Sequence, residues 1–204
     1  MKFRNLLAAL CITLSPLSNA AIIYSTDVTD FDLTLESFPT TGFTYADIVS
    51  NSGNITLDNA VGVGNPATTN HIFTEWGGSG MVGQEYALSG DENFNVSFSS
   101  LQNVFAFNYE DDSVASTFTL TFFNGATNVG SSSFVTSSFD TTEFIGFISD
   151  AEFDLVQVRE NDGGFNSNEY FQFYTATVKV SEPAPLAIMA LGLMMLGLRA
   201  KSKA

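Results

Sequence analysis

Much of this chain alternates. "FDLTLE" places Phe31, Leu33 and Leu35 on one face and Asp32, Thr34 and Glu36 on the other; "NFNVSFS" does the same with Phe94, Val96 and Phe98, and "STFTLTFF" with Phe118, Leu120 and Phe122. A period of two marks a strand with one face in a core and one in water, because successive side chains of an extended chain point to opposite sides. "NVFAFNY", "FIGFIS", "FDLVQVR" and "EYFQFYTATVKV" continue the pattern with aromatic and β-branched residues. Turn-forming clusters punctuate it: "NSGN", "LSGDEN", "YEDDS", "FNGATN", "SDAE" and "ENDGGFNSN". No stretch of residues 21–180 carries an apolar helical stripe of three turns. The pattern predicts an all-β fold of roughly eight to ten antiparallel strands, a jelly-roll-like β-sandwich. Residues 37–90, less regular and rich in Gly, are expected to form long loops over one end.

Composition says whether such a sandwich can hold. Residues 21–180 contain 19 of the 20 Phe and all six Tyr, enough to bury a core in a chain whose acidity would otherwise favour disorder. A stretch of this length forms one domain that buries roughly 70% of its unfolded surface. It carries 21 acidic side chains against Arg159 and Lys179, a net charge of −19. A field of that sign repels phosphate backbones and so excludes nucleic acid as a partner. Cations, neutral polymers and sugars remain.

The two ends follow other rules. "MKFRNLLAALCITLSPLSNA" has Lys2 and Arg4, an apolar stretch from Leu6 to Leu14, a break at Pro16, and small residues Ser18 and Ala20. That is the three-part layout of a secretory signal peptide, cut between Ala20 and Ala21 after passage through the Sec translocon. Cys11, the only cysteine, leaves with it, so the exported domain has no disulfide and no thiol nucleophile. At the other end, the run from Leu186 to Leu198 is 13 apolar or Gly residues, short of the roughly 20 that span a bilayer comfortably. Arg199, Lys201 and Lys203 follow and would stay on the cytoplasmic side, giving a transient inner-membrane insertion.

A Glu-Pro pair, a short Leu- and Gly-rich helix and a basic tail, on a chain with a signal peptide, resemble the PEP-CTERM sorting signal of Gram-negative bacteria. Glu182 and Pro183 match the last two letters of the motif, and Ser181 stands where Pro is usual. The resemblance covers residues 181–204. It implies that an exosortase reads and cuts this segment, and that the protein is delivered to the cell surface or the extracellular polymer as a substrate of processing. The central strands are also similar in rhythm to carbohydrate-binding β-sandwich modules carried by such proteins.

Candidate site residues are few. Triad chemistry would have to run through His71, the only histidine, and "TTNHIFTEW" has no nucleophile elbow. The many carboxylates could supply a glycosidase pair, but nothing marks one. Calcium, a hard cation that takes carboxylate and carbonyl oxygens, suits the acidic turns better. Asp91 and Glu92, then Glu110, Asp111 and Asp112, and above all the "ENDGGFNSNE" turn with Glu160, Asp162, Asn166, Asn168 and Glu169 could hold it; Asp162, Asn168 and Glu169 form the preferred set. The competing reading of each is an acidic turn kept for solubility. A sugar needs an aromatic face beside polar groups, which points to Trp76 in "EWGGSG", with Tyr86 and Tyr109 as weaker platforms. The sequence thus favours a non-catalytic surface or matrix protein that associates with extracellular polysaccharide. A secreted hydrolase acting on the same glycans is the alternative.

Overall fold

The computed structural model describes residues 20–42, 44, 46–59, 69–73, 80–89, 93–111, 115–137, 141–160 and 168–179. The signal-peptide segment up to residue 19 and the sorting segment 181–204 lie outside them.

Among the described residues all regular structure is extended, apart from a single 3-10 turn at Val28–Asp30. The described residues form eleven strands in order: β1 (Ile22–Ser25), β2 (Phe31–Leu35), β3 (Ile48–Val49), β4 (Ile55–Asn59), β5 (Thr69–Phe73), β6 (Glu85–Ser89), β7 (Phe94–Asp111), β8 (Thr117–Asn124), β9 (Thr127–Val135), β10 (Glu143–Glu160) and β11 (Asn168–Val178). Every pairing between them is antiparallel.

Two long strands organise the fold. β7 and β10, each 18 residues, pair along both halves. The later half of β7 lies between β10 and β11, while its first half lies between β10 and β4. The sheet is therefore one continuous hydrogen-bonded surface that folds over where β7 and β10 change direction. The fold line has a local cause. Register slips between the pairs Ile148↔Val104, Phe153↔Gln102 and Leu155↔Ser97, a bulge that lets a strand bend without ending. Ser149 sets part of it: its Oγ donates to Ala151 O at 2.7 Å and accepts from Ala151 N–H at 3.2 Å. The "SDAE" stretch expected to be a turn between two strands is this bend within one strand. The same happens at residues 99–103, where two expected strands are joined as β7.

The two layers enclose an aromatic core. Phe94 on the first half of β7 meets Phe171 and Phe173 of β11 at centroid distances of 5.0 and 5.9 Å. Tyr109 meets Phe118 of β8 at 5.5 Å, and Phe147 meets Phe122 and Phe134 at 5.8 and 6.1 Å. Within each half of β7 the inward rings sit at every second position, as the alternation requires, and the parity switches across the bulge, from Phe94 to Tyr109. A smaller cluster of Phe31, Val104, Ala106 and Ala176 lies on the other side of the β11–β7–β10 layer, where β2 packs. Tight turns fall where the sequence marks them. Gly125 in "FNGATN" has φ +56° and joins β8 to β9, and Gly53 in "NSGN" has φ +75° and leads into β4.

Candidate functional site

One end of the inner row of β11 leaves the core. Along that row Phe171 and Phe173 are buried, and the next inward positions are Thr175, half-buried, and Thr177, exposed. β2 pairs with this stretch in the register Thr175↔Thr34 and Thr177↔Asp32, which puts the polar side of β2 beside the two threonines. Asn54, at the end of the "NSGN" turn, and Ser100 and Gln102, at the fold line of β7, complete an open cleft of about 360 Å³. Leu33 and Ala176 also line it.

The cleft is built to stay open and polar. Gln102 Nε2 donates to both Ser100 O and Ser100 Oγ at 3.0 Å, which fixes the amide. Asn54 Nδ2 donates to Glu36 Oε1 at 3.1 Å, and Ser52 Oγ donates to Glu36 Oε2, so the nearly buried Glu36 ties the turn to β2. Asp32 faces Lys179 Nζ at 3.7 Å, with both side chains more than half exposed. The lining thus offers hydroxyls, amides and one carboxylate, groups that satisfy the mixed donors and acceptors of a polyol.

The residues expected from the sequence go elsewhere. Tyr86 and Tyr109 are fully buried and stack in the core, because β6 and β7 turn these positions inward; neither can serve as a sugar platform. His71, expected in a loop, lies in β5 opposite Ala87. Trp76, Asp91, Glu92, Asp112, Asp162 and Asn166 lie outside the described residues. Asp111 ends β7 and Asn168 opens β11. Glu169, the next residue on β11, is fully buried.

Glu110 is buried too and holds structure: both its oxygens accept from Gly80 N–H, at 3.0 and 2.8 Å, and Oε2 also accepts from the Thr142 hydroxyl. With Gln172 Nε2 donating to Val82 O, it pins residues 80–82 over β7 and β11. Glu160 accepts from Ser116 Oγ at 2.9 Å. No group of three or more His, Cys, Asp or Glu able to hold a metal occurs among the described residues.

Arg159 is also structural. Its guanidinium donates to Phe94 O, Val158 O and Asn95 Oδ1 at 2.6–2.7 Å, closing the β7–β10 pair at its outer end. Burial lowers its pKa, against the attraction of Asp58, which raises it.

No protein family model matches the chain, and no curated protein does. Among solved structures the chain is similar to the enzymatically active domain of tailspike protein 4 from bacteriophage CBA120, with 12% identity and a TM-score of 0.37 over 74% of this chain. The chain spans only 20% of that one. It is also similar to the family 32 carbohydrate-binding module of NanJ from C. perfringens, solved with galactose, with 10% identity and a TM-score of 0.32. That match covers 78% of this chain and 96% of the module.

The cleft was missed from the sequence because its residues are ordinary Thr, Asn, Ser and Gln scattered over four segments. One signal was present: inward parity occupied by Thr175 and Thr177 in a strand whose other inward residues include Phe171 and Phe173.

Proposed function

We propose that this is an exported, non-catalytic protein of the cell surface or extracellular matrix that associates with neutral polysaccharide through the cleft between β2, β11 and the fold line of β7. The observation that carries this reading is the cleft's lining of hydroxyls and amides at a volume suited to one or two sugar rings. The charge of the domain supports the choice of polymer, since 21 acids against two bases disfavour uronate-rich chains. The jelly-roll-like connectivity belongs to the same reading. Export would run through the signal peptide and a PEP-CTERM-like tail, with Glu182 and Pro183 read by an exosortase.

Calorimetric titration with neutral and uronic oligosaccharides tests the binding. Gln102→Ala should weaken a neutral ligand at least about tenfold, in line with loss of an oriented hydrogen-bond group, while leaving the melting temperature within about 2 °C. Equal affinity for both polymer classes, or none for either, would sink the cleft reading. Release of reducing ends from the same oligosaccharides would instead favour the hydrolase alternative. Intact mass of secreted material should start at Ala21 and end near Glu182 to Pro185. Retention of residues 186–204 would replace sorting by simple anchoring.

A further inference from the structure

The first strand begins at a seam between the two layers. β1 pairs with β10 in the register Ile22↔Ser149, and the preceding residue continues the ladder, with Asp150 N–H donating to Ala21 O at 3.3 Å. The return bond is not a ladder bond. Ala21 N–H donates at 2.9 Å to the side-chain Oδ1 of Asp150, where an antiparallel pair would use the main-chain carbonyl. One residue earlier, Ala20 N–H donates to Val129 O of β9 at 2.7 Å. Gly130 leaves room for this approach: a Cβ there would lie 2.9 Å from Ile22 Cγ1 and 3.1 Å from Ala20 O. Ala21 and Asp150 are both exposed.

We infer that Asp150 is the counter-ion of the processed N-terminus. The inference rests on the reading that the chain is cut after Ala20. Hydrolysis of the Ala20–Ala21 peptide bond consumes one water: the Ala20 carbonyl carbon leaves with the signal peptide as a carboxylate, and the Ala21 nitrogen becomes an ammonium. The nitrogen that faces Asp150 Oδ1 as a neutral amide then faces it as a cation, and the hydrogen bond becomes charge-assisted. The Ala20 bond to Val129 is lost with the signal peptide, so the new pair takes over the docking of β1.

Charge makes the pairing specific. Arg159 is committed to Phe94, Val158 and Asn95, and Lys179 lies beside Asp32, so neither base of the domain serves Asp150. The ammonium created by cleavage is the third cation of the domain and arises at this carboxylate. Asp150→Asn keeps an oxygen acceptor and removes the charge, which separates the ion pair from the hydrogen bond.

The test uses protein secreted by an exporting host, wild type and Asp150→Asn, each with its α-amine free or selectively acylated near neutral pH. Acylation should lower the melting temperature of the wild type by about 2–4 °C and that of Asp150→Asn by less than half as much. The substitution should also speed acylation of the α-amine by about two- to fivefold, because the carboxylate no longer holds its proton, with Lys179 acylation unchanged as the internal control. Equal melting shifts and equal acylation rates in the two proteins would overturn the inference while leaving the processing intact. A mature N-terminus other than Ala21, read by intact mass, would overturn both.

Discussion

Gly146 of β10 sits beneath Phe31 of β2, and the contact has no slack. A Cβ at Gly146 would lie 2.5 Å from Phe31 Cζ and 2.8 Å from Cε2, well inside the roughly 3.5–4.0 Å of ordinary carbon contact. The ring cannot swing clear, because Phe31 is 2% exposed and packs on Phe144 at a centroid distance of 5.4 Å. Gly146→Ala must therefore push β2 away from the layer. Overpacking of this kind costs about 1–3 kcal/mol, and stiffening the unfolded chain returns about 0.4–1 kcal/mol. A net loss of about 1–2 kcal/mol follows, which lowers the melting temperature by about 2–8 °C for a domain of this size. Calorimetry of the secreted protein reads it directly. In a Phe31→Leu background, where the ring is gone, the same substitution should cost less than half as much. Since β2 carries Asp32 and Thr34 into the cleft, ligand affinity should fall together with stability. A variant that melts at or above the wild type, or an equal loss in both backgrounds, would refute the packing argument.

Phe171 touches Phe94, Tyr109, Phe107 and Phe173 at 5.0–5.8 Å, so Phe171→Ala should cost about 3–5 kcal/mol, whereas Val82→Ala at an 80% exposed site should change stability by under about 0.5 kcal/mol. Similar melting shifts for the two would disprove the two-layer core. Tyr174 has its phenol pKa raised by burial, against the Asn108 hydrogen bond, which lowers it. A raised phenol favours the neutral form in the folded state, so its contribution is full below about pH 10, the unfolded value, and is lost as pH climbs through the folded value. Tyr174→Phe should flatten the fall in melting temperature between about pH 8 and about pH 11, and an unchanged slope would reject that assignment. Calcium in hundredfold excess over its Kd should stabilise the domain by about 2.7 kcal/mol if the acidic turns bind it, and Asp162→Asn should remove the gain. An equal response to sodium chloride of the same ionic strength would reduce those turns to solvated surface.

The alternation made most strands legible, and it did so because nearly every inward position is aromatic or branched. It could not place strand ends where chemistry and geometry diverge. Ser149 to Glu152 has the composition of a turn, yet the ladder on both sides of it belongs to the same partner strand, so the chain bends and continues. Acidic residues misled in the opposite way. Glu110 and Glu169 read as residues of acidic turns, either calcium ligands or solvated surface, whereas the strands run on past the polar boundary and bury both. Glu110 is tolerated there because a backbone amide and a hydroxyl meet its carboxylate. Tyr86 and Tyr109 carry the right parity for the core, and parity outweighs the appeal of an aromatic near a loop.

The same parity argument gives a test of the proposed role of the cleft. Thr175 occupies an inward position where Val would be the stable choice, since its half-buried hydroxyl gains little: Oγ1 reaches Thr34 O only at 3.4 Å. Keeping Thr at half-buried position 175 forgoes apolar burial of roughly 0.8 kcal/mol for one methyl-sized group, while exposed Thr177 forgoes little. If the threonines bind a ligand, replacing both with Val should separate stability from function: the shape is kept, two hydroxyls are replaced by methyl groups, and the melting temperature stays level or rises. Affinity for neutral oligosaccharide should fall by about tenfold for each hydroxyl that bonds the sugar. A doubly substituted protein that melts lower and binds as before would mean that these hydroxyls serve the fold, and that the polar end of β11 is only where its core stops.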